Sequence, residues 1–352
     1  MNSKDISKTV NLTNLLLIFC LFFQISATAQ QSSSIVYDFD ETLETANTLP
    51  RIKSLLVSQN GELILEQYFN GANQEDQTNI KSVSKSVISA LVGIAIHQGY
   101  IDSIQQPITE YFGVDWANDN PLKKEITVQN LLTMQSGLET TSNRNYGKWI
   151  ASSNWVAFAL EQPLETAPGR LMEYSTGNTH LLSAILTKAT GLNTLNFARE
   201  VLTEPLGFQL MPWPQDAQGI YFGGNDMELT PRQMLLFGEL YLNHGALNGT
   251  QVIPRQWIDD TLRNSVQSRR DRSRFYGYGW WIKEMAGHNT HYAWGFGGQF
   301  IVIVPTLDLV VVTTSSSNPG SQRRAHTRSI YDLLEYDVIS SVSKSLGYPS
   351  NP

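Results

Sequence analysis

Ser82-Val83-Ser84-Lys85 sets a hydroxyl and an amine three residues apart. In a helix, residues i and i+3 share a face, so the amine can stand beside the hydroxyl. A serine hydroxyl is a poor nucleophile at its ordinary pKa, and a neutral or proton-sharing amine within reach activates it. A helix N-terminus at this point adds partial positive charge where an oxyanion would form. The tetrapeptide alone is weak evidence, because Ser341-Val342-Ser343-Lys344 repeats it. Context separates the two. Ser82 opens the apolar stretch VISALVGIAI, the start of a buried helix, whereas Ser341 follows the last expected helix in a polar tail, residues 341–352. A helix cap is the plainer reading of Ser82.

Two further elements could join it. Tyr174-Ser175-Thr176 follows the turn signal Pro168-Gly169 and precedes an apolar helical pattern. A tyrosine on such a connection can face a cleft. Beside a lysine ammonium its pKa would fall from about 10, making it a general base; otherwise it is a core tyrosine. Trp294-Gly295-Phe296-Gly297-Gly298-Gln299 leads into a strand. Glycines there allow another backbone, such as a substrate acyl group, to approach and receive N–H bonds; otherwise they mark a bulge. Trp280, Trp281, Trp294 and Phe296 could supply an apolar wall. There is no GxSxG elbow, P-loop, GxGxxG after a strand or HExxH. The six histidines are scattered, so no metal site is expected.

These residues must be held by the elements around them. In SLLVSQNGELILEQYF, two apolar runs flank Asn60-Gly61, the strongest short hairpin signal. From about 79 to 264 the pattern is mostly helical. FYGYGWWI, HYAWGFGGQFIVIVP and DLVVVTTSS read as three strands, with Pro305 and Asp308 in the last turn, and a helix follows over 323–338. Strands at both ends and helices between predict an α/β (α+β) fold. Its antiparallel sheet is formed by both chain ends and flanked by helices, with an inserted all-helical lobe and a cleft between the two.

Composition agrees with a large core: 41% of the 352 residues are hydrophobic and 16% charged. A net charge of −7 argues against a nucleic-acid binder. The only cysteine is Cys20, which excludes an intrachain disulfide and a cysteine-based zinc site. Lys4 and Lys8, the run LLLIFCLFF and Ala27-Thr28-Ala29 form the three parts of a secretory signal peptide, residues 1–29. The run is short of the ~20 residues of a membrane span. The expected mature chain is periplasmic or secreted and not membrane-inserted. It has a flexible leader (30–50) and one domain (51–340).

Taken together, the ordered set resembles the serine β-lactamase-related family, which includes class C β-lactamases, penicillin-recognising peptidases, esterases and nylon-oligomer hydrolases. ITVQNLLTMQSGLE, LTPRQMLLFGELYLNHG and FYGYGWW are also similar, and the resemblance runs from about Ile52 to Leu334. It implies Ser82 as nucleophile, Lys85 as its proton acceptor or electrostatic partner, and Tyr174 as the second acid/base. The oxyanion donors it implies are the amides of Ser82 and Gln299, with Gly298 the neighbouring alternative. Thr176 stands where many members carry Asn. Phe296-Gly297-Gly298 stands where β-lactamases carry Lys-Thr-Gly, and phenylalanine cannot hold a substrate carboxylate. The resemblance therefore points to the esterase and nylon-oligomer-hydrolase branch, acting on a small-molecule ester or amide without metal or organic cofactor. A D-amino-acid peptidase, a weak β-lactamase and a non-catalytic envelope-binding protein are the alternatives.

Overall fold

Asn60 and Gly61 both take positive φ, 53° and 73°, and fold β1 (Ile52–Gln59) back onto β2 (Glu62–Tyr68). The chain then leaves the sheet and builds the helical region, which includes α2 (Ser84–His97). That region also holds two short ladders, β3 (Thr78–Asn79) with β4 (Glu228–Leu229), and β5 (Ala246–Leu247) with β6 (Thr250–Gln251). The sheet resumes with β7 (Val266–Gln267), β8 (Phe275–Gly277), β9 (Trp280–Met285), β10 (His288–Gly295), β11 (Gln299–Val304) and β12 (Leu309–Ser315). Its order is β2-β1-β12-β11-β10-β9-β8-β7. All its ladders are antiparallel. β1 pairs with β12 from Gln59↔Leu309 to Ile52↔Ser315, so the two ends of the domain meet inside one sheet. The structure is a computed structural model that describes residues 35–263, 265–318 and 322–349. The expected signal peptide lies outside the described residues.

Three expected strands are five in the structure. FYGYGWWI breaks at Tyr278 and Gly279, both at positive φ, into β8 and β9. HYAWGFGGQFIVIVP is a hairpin, because Gly297 (φ 94°) and Gly298 (φ 109°) turn the chain between β10 and β11. An L side chain rarely adopts such φ values, so these glycines reverse the strand.

β11 and β12 are buried on both faces, which is why they read as unbroken apolar runs. Ile301, Ile303, Val310 and Val312 pack with α2 and the Pro231–Leu242 helix. Phe300, Val302, Leu309 and Val311 pack against the C-terminal helix. That second face corrects two expectations. Within the supposed flexible leader, α1 (Asp40–Asn47) is a helix whose Thr42 and Ala46 are buried. The supposed polar tail continues the last helix as far as Ser345. Ile330, Leu333, Leu334, Val338, Ile339 and Val342 recur every three or four residues and bury one stripe on the sheet. Ser341 and Lys344 therefore lie on a docked helix, with Lys344 exposed.

Candidate active site

Ser82 sits in a tight turn, Lys81–Val83, that runs directly into α2. Lys81 is left-handed (φ 52°), which costs a non-glycine residue about 1–2 kcal/mol. Its neighbours hold it there. The Lys81 amide donates to Asn79 Oδ1 at 3.0 Å, and its ammonium pairs with Asp226 Oδ1 at 2.8 Å. The Ile80 amide donates to the Met227 carbonyl at 2.9 Å, and the Ser84 hydroxyl to the Lys81 carbonyl at 2.6 Å. The turn is thus clamped against residues 226–227. The first amides of a helix have no intrahelical acceptor, and Ser82 stands at that end of α2.

One turn on, Lys85 Nζ is 3.1 Å from Ser82 Oγ. It also donates a short hydrogen bond to the Gly224 carbonyl. Lys85 is almost wholly buried. Burial pulls its pKa down to about 7, against the opposing pull of Asp226. The amine is therefore substantially neutral near neutral pH and can accept a proton. Tyr174 lies across the same pocket, its ring centroid 5.1 Å from Lys85 Nζ. It stacks on Trp281 at 5.7 Å and meets Tyr276 edge-on at 5.9 Å. Burial pushes its phenol above the ordinary range, and a hydrogen bond with the Ser82 hydroxyl opposes this. The expectation that Lys85 would lower the Tyr174 pKa is overturned. The amine has itself lost most of its tendency to carry charge, and the aromatic wall disfavours phenolate. Tyr174 is equipped to give a proton and Lys85 to take one.

The β10–β11 hairpin stands next to the Ser82 turn. A Cβ on Gly295 would lie 2.2 Å from the Ile80 carbonyl, so only glycine allows that approach. Within the hairpin, the Gly298 amide donates to the Gly295 carbonyl at 3.3 Å, which removes it as an oxyanion donor. The Gln299 side chain is spent on the Ser315 backbone, bonding its carbonyl at 2.7 Å and its amide at 3.0 Å. Phe296 projects from the tip, with the Arg323 guanidinium 4.2 Å from its ring centroid. Thr176 is buried, its hydroxyl 2.9 Å from Ser142 Oγ, and so does not offer that group to a substrate. Trp280 is core, packed on Tyr241. Trp294 and Trp281, with Met172 and Tyr174, line a cavity of about 270 Å³, to which the charged pairs Arg270–Glu173 and Arg274–Asp271 also contribute. Among the described residues no group of three or more His, Cys, Asp or Glu is placed to hold a metal, and no helix is long and apolar enough to cross a membrane.

Sequence reasoning missed the Gly223–Asp226 loop, which supplies the acceptor for Lys85 and the ion-pair partner of Lys81. Its one signal was the adjacent pair Gly223-Gly224. A Cβ at Gly224 would fall 2.5 Å from Thr179 Oγ1, 2.7 Å from Thr176 Cγ2 and 3.0 Å from Lys85 Nζ. Gly224→Ala should displace the amine and cut kcat/KM by about 10²-fold, measured on a chromogenic ester beside a thermal melt.

Comparison with known proteins places this geometry. The Beta-lactamase family profile matches residues 52–335. A 6-aminohexanoate-dimer hydrolase of Paenarthrobacter ureafaciens is 25% identical over 336 residues, covering 88% of this chain and 81% of the relative. A penicillin-binding protein homologue from Caulobacter crescentus superposes with a TM-score of 0.68 at 14% identity, over 89% of this chain and 99% of that one. A D-stereospecific amidohydrolase from Streptomyces gives 0.64 at 16%, over 85% and 98%. The latter two likenesses concern the fold, while the profile match covers nearly the whole described domain. The chain belongs to the Beta-lactamase family.

Proposed function

We propose that the protein is a serine hydrolase that cleaves a small ester or amide through an acyl-enzyme on Ser82. One observation carries the reading: Lys85 Nζ lies 3.1 Å from Ser82 Oγ in a buried pocket closed by Tyr174. Ser82 Oγ bonds to the substrate carbonyl carbon as its proton passes to Lys85. The oxyanion accepts the Ser82 amide and one amide of the Gly295–Gln299 hairpin, Gln299 rather than Gly298. The bond to the leaving group breaks as Tyr174 gives that group its proton, and Lys85 returns a proton to Tyr174. Water then attacks the acyl carbon by the reverse route, and Ser82 is regenerated. The cavity beside Tyr174 would receive the leaving group.

The relative named as a 6-aminohexanoate-dimer hydrolase supports an amide among the substrates. Phe296 stands where β-lactamases carry lysine, and the cation at this tip is Arg323, held against the Phe296 ring rather than supplied by the hairpin itself; a D-amino-acid peptidase uses the same proton path. The basic and apolar start of the chain supports export to the periplasm or medium. The test is covalent labelling. A fluorophosphonate should add one phosphonyl group to Ser82, located by peptide mass spectrometry, with none on Ser341. Folded protein that stays unlabelled would favour a binding protein that kept the fold.

A further inference from the structure

His180 lies on the Thr176–Thr190 helix with its side chain wholly buried. Trp149, Trp155 and Phe222 surround its ring, with centroids 5.8, 5.4 and 6.0 Å away. Its Nε2 is 3.0 Å from Asp216 Oδ2, another fully buried side chain. The other carboxylate oxygen of Asp216, Oδ1, accepts the Gln218 and Ile220 amides, both at 2.9 Å. Such a pair is costly in an interior unless every partner is satisfied. The remaining ring nitrogen, Nδ1, accepts the Gly223 amide at 3.4 Å.

That contact leads to the catalytic pocket. Four consecutive residues are each tied from outside the loop. Ser183 Oγ donates to the Tyr221 carbonyl at 2.7 Å, and Trp213 Nε1 to the Phe222 carbonyl at 2.9 Å. His180 holds the Gly223 amide, and the Gly224 carbonyl accepts Lys85. We infer that His180 and Asp216 are a buried positioning pair that sets the Gly223–Gly224 loop and, through its carbonyl, the amine of Lys85. The inference rests on Lys85 as the proton acceptor of Ser82.

The tautomer is decisive. A carboxylate at Oδ2 demands an N–H from Nε2, which leaves Nδ1 bare to accept from Gly223. Burial keeps the imidazole neutral against the pull of Asp216. In Asp216→Asn the side-chain carbonyl must stay on the Gln218 and Ile220 amides. The new NH₂ then faces Nε2 and makes it an acceptor. The ring proton moves to Nδ1 and opposes the Gly223 N–H, donor against donor, so the loop must shift.

The test is the pH profile of kcat/KM for a nitrophenyl ester, with the full chain. The ionisable groups around Lys85 are Tyr174, Asp226 and the Lys81 paired with Asp226; around His180 there is Asp216. Asp216→Asn should lower kcat/KM by about ten- to a hundredfold. It should also move the acid limb to lower pH, because the ammonium form of Lys85 loses its carbonyl partner. If that variant does not fold, the double variant His180→Phe, Asp216→Asn removes the donor conflict and should show the same two changes. Folded protein of either kind with the wild-type limb and rate, altered only in melting temperature, would reduce the pair to a structural role. Ser82→Ala in the same assay separates the failures: if it keeps activity, the reading of the site itself is wrong.

Discussion

Ser82→Ala should reduce kcat/KM for a short-chain nitrophenyl ester by about 10⁴–10⁶-fold, the scale on which removing a covalent nucleophile acts. Ser341→Ala should leave it unchanged. Sequence cannot separate the two tetrapeptides by their own residues, but the structure can. Both lie on helices at the same i, i+3 spacing. Lys85 is buried and bonded to both Ser82 and Gly224, whereas Lys344 is exposed. Ser82 is preceded by a strained Lys81 held by Asn79 and Asp226, and it faces Tyr174. Alanine retains the turn and the helix, so the fold should survive and only the nucleophile be lost. Any residual turnover would come from binding and the oxyanion donors, which still act on bound water. A Ser82→Ala enzyme within tenfold of wild type would exclude the acyl-enzyme route.

The parts of this site that could be read from sequence depend on side chains at short, regular spacing. Ser82 and Lys85 are a helical i, i+3 pair beside an apolar run, and Asn60-Gly61 fixes the hairpin that lays β2 along β1 at the edge of the sheet. Tyr174 was legible as a loop tyrosine before a helix, though its acid character was not, because that depends on Trp281 and Tyr276, about a hundred residues away. The Gly224 acceptor is a backbone carbonyl 139 positions from Lys85, and backbone groups leave no trace in residue type. The same limit hid the engagement of the Gly298 amide and the loss of the Thr176 hydroxyl to Ser142. The leader and tail misled for a different reason. Their residues are polar on average, and among the described ones Asp40–Asn47 and the helix running to Ser345 are helical because a few buried positions, Ala46 in the first and Val338, Ile339 and Val342 in the second, join the core on one face of the sheet.

Lys85→Met should cost about 10²–10⁴-fold in kcat/KM, the usual contribution of a general base, while its effect on stability should depend on pH in a diagnostic direction. In wild type the acid limb should lie near pH 7, since below that the amine is protonated and cannot take the Ser82 proton. The sign for stability follows from the same shift. Unfolded lysine titrates near 10.4, and the folded value is depressed by burial to about 7. The stability that wild type has at high pH is therefore lost progressively as pH falls from above 10 to about 7, and is roughly level below. Methionine keeps the unbranched stem, one atom shorter and without the charge, and does not share that loss. It does leave the Gly224 carbonyl without its amine partner, a penalty independent of pH. The melting temperature of Lys85→Met relative to wild type should then be higher at pH 6 than at pH 9.5. An equal difference at both values would mean that Lys85 is not strongly desolvated in the folded protein. It would then be protonated at neutral pH, and Tyr174 would have to be considered as the acceptor of the Ser82 proton.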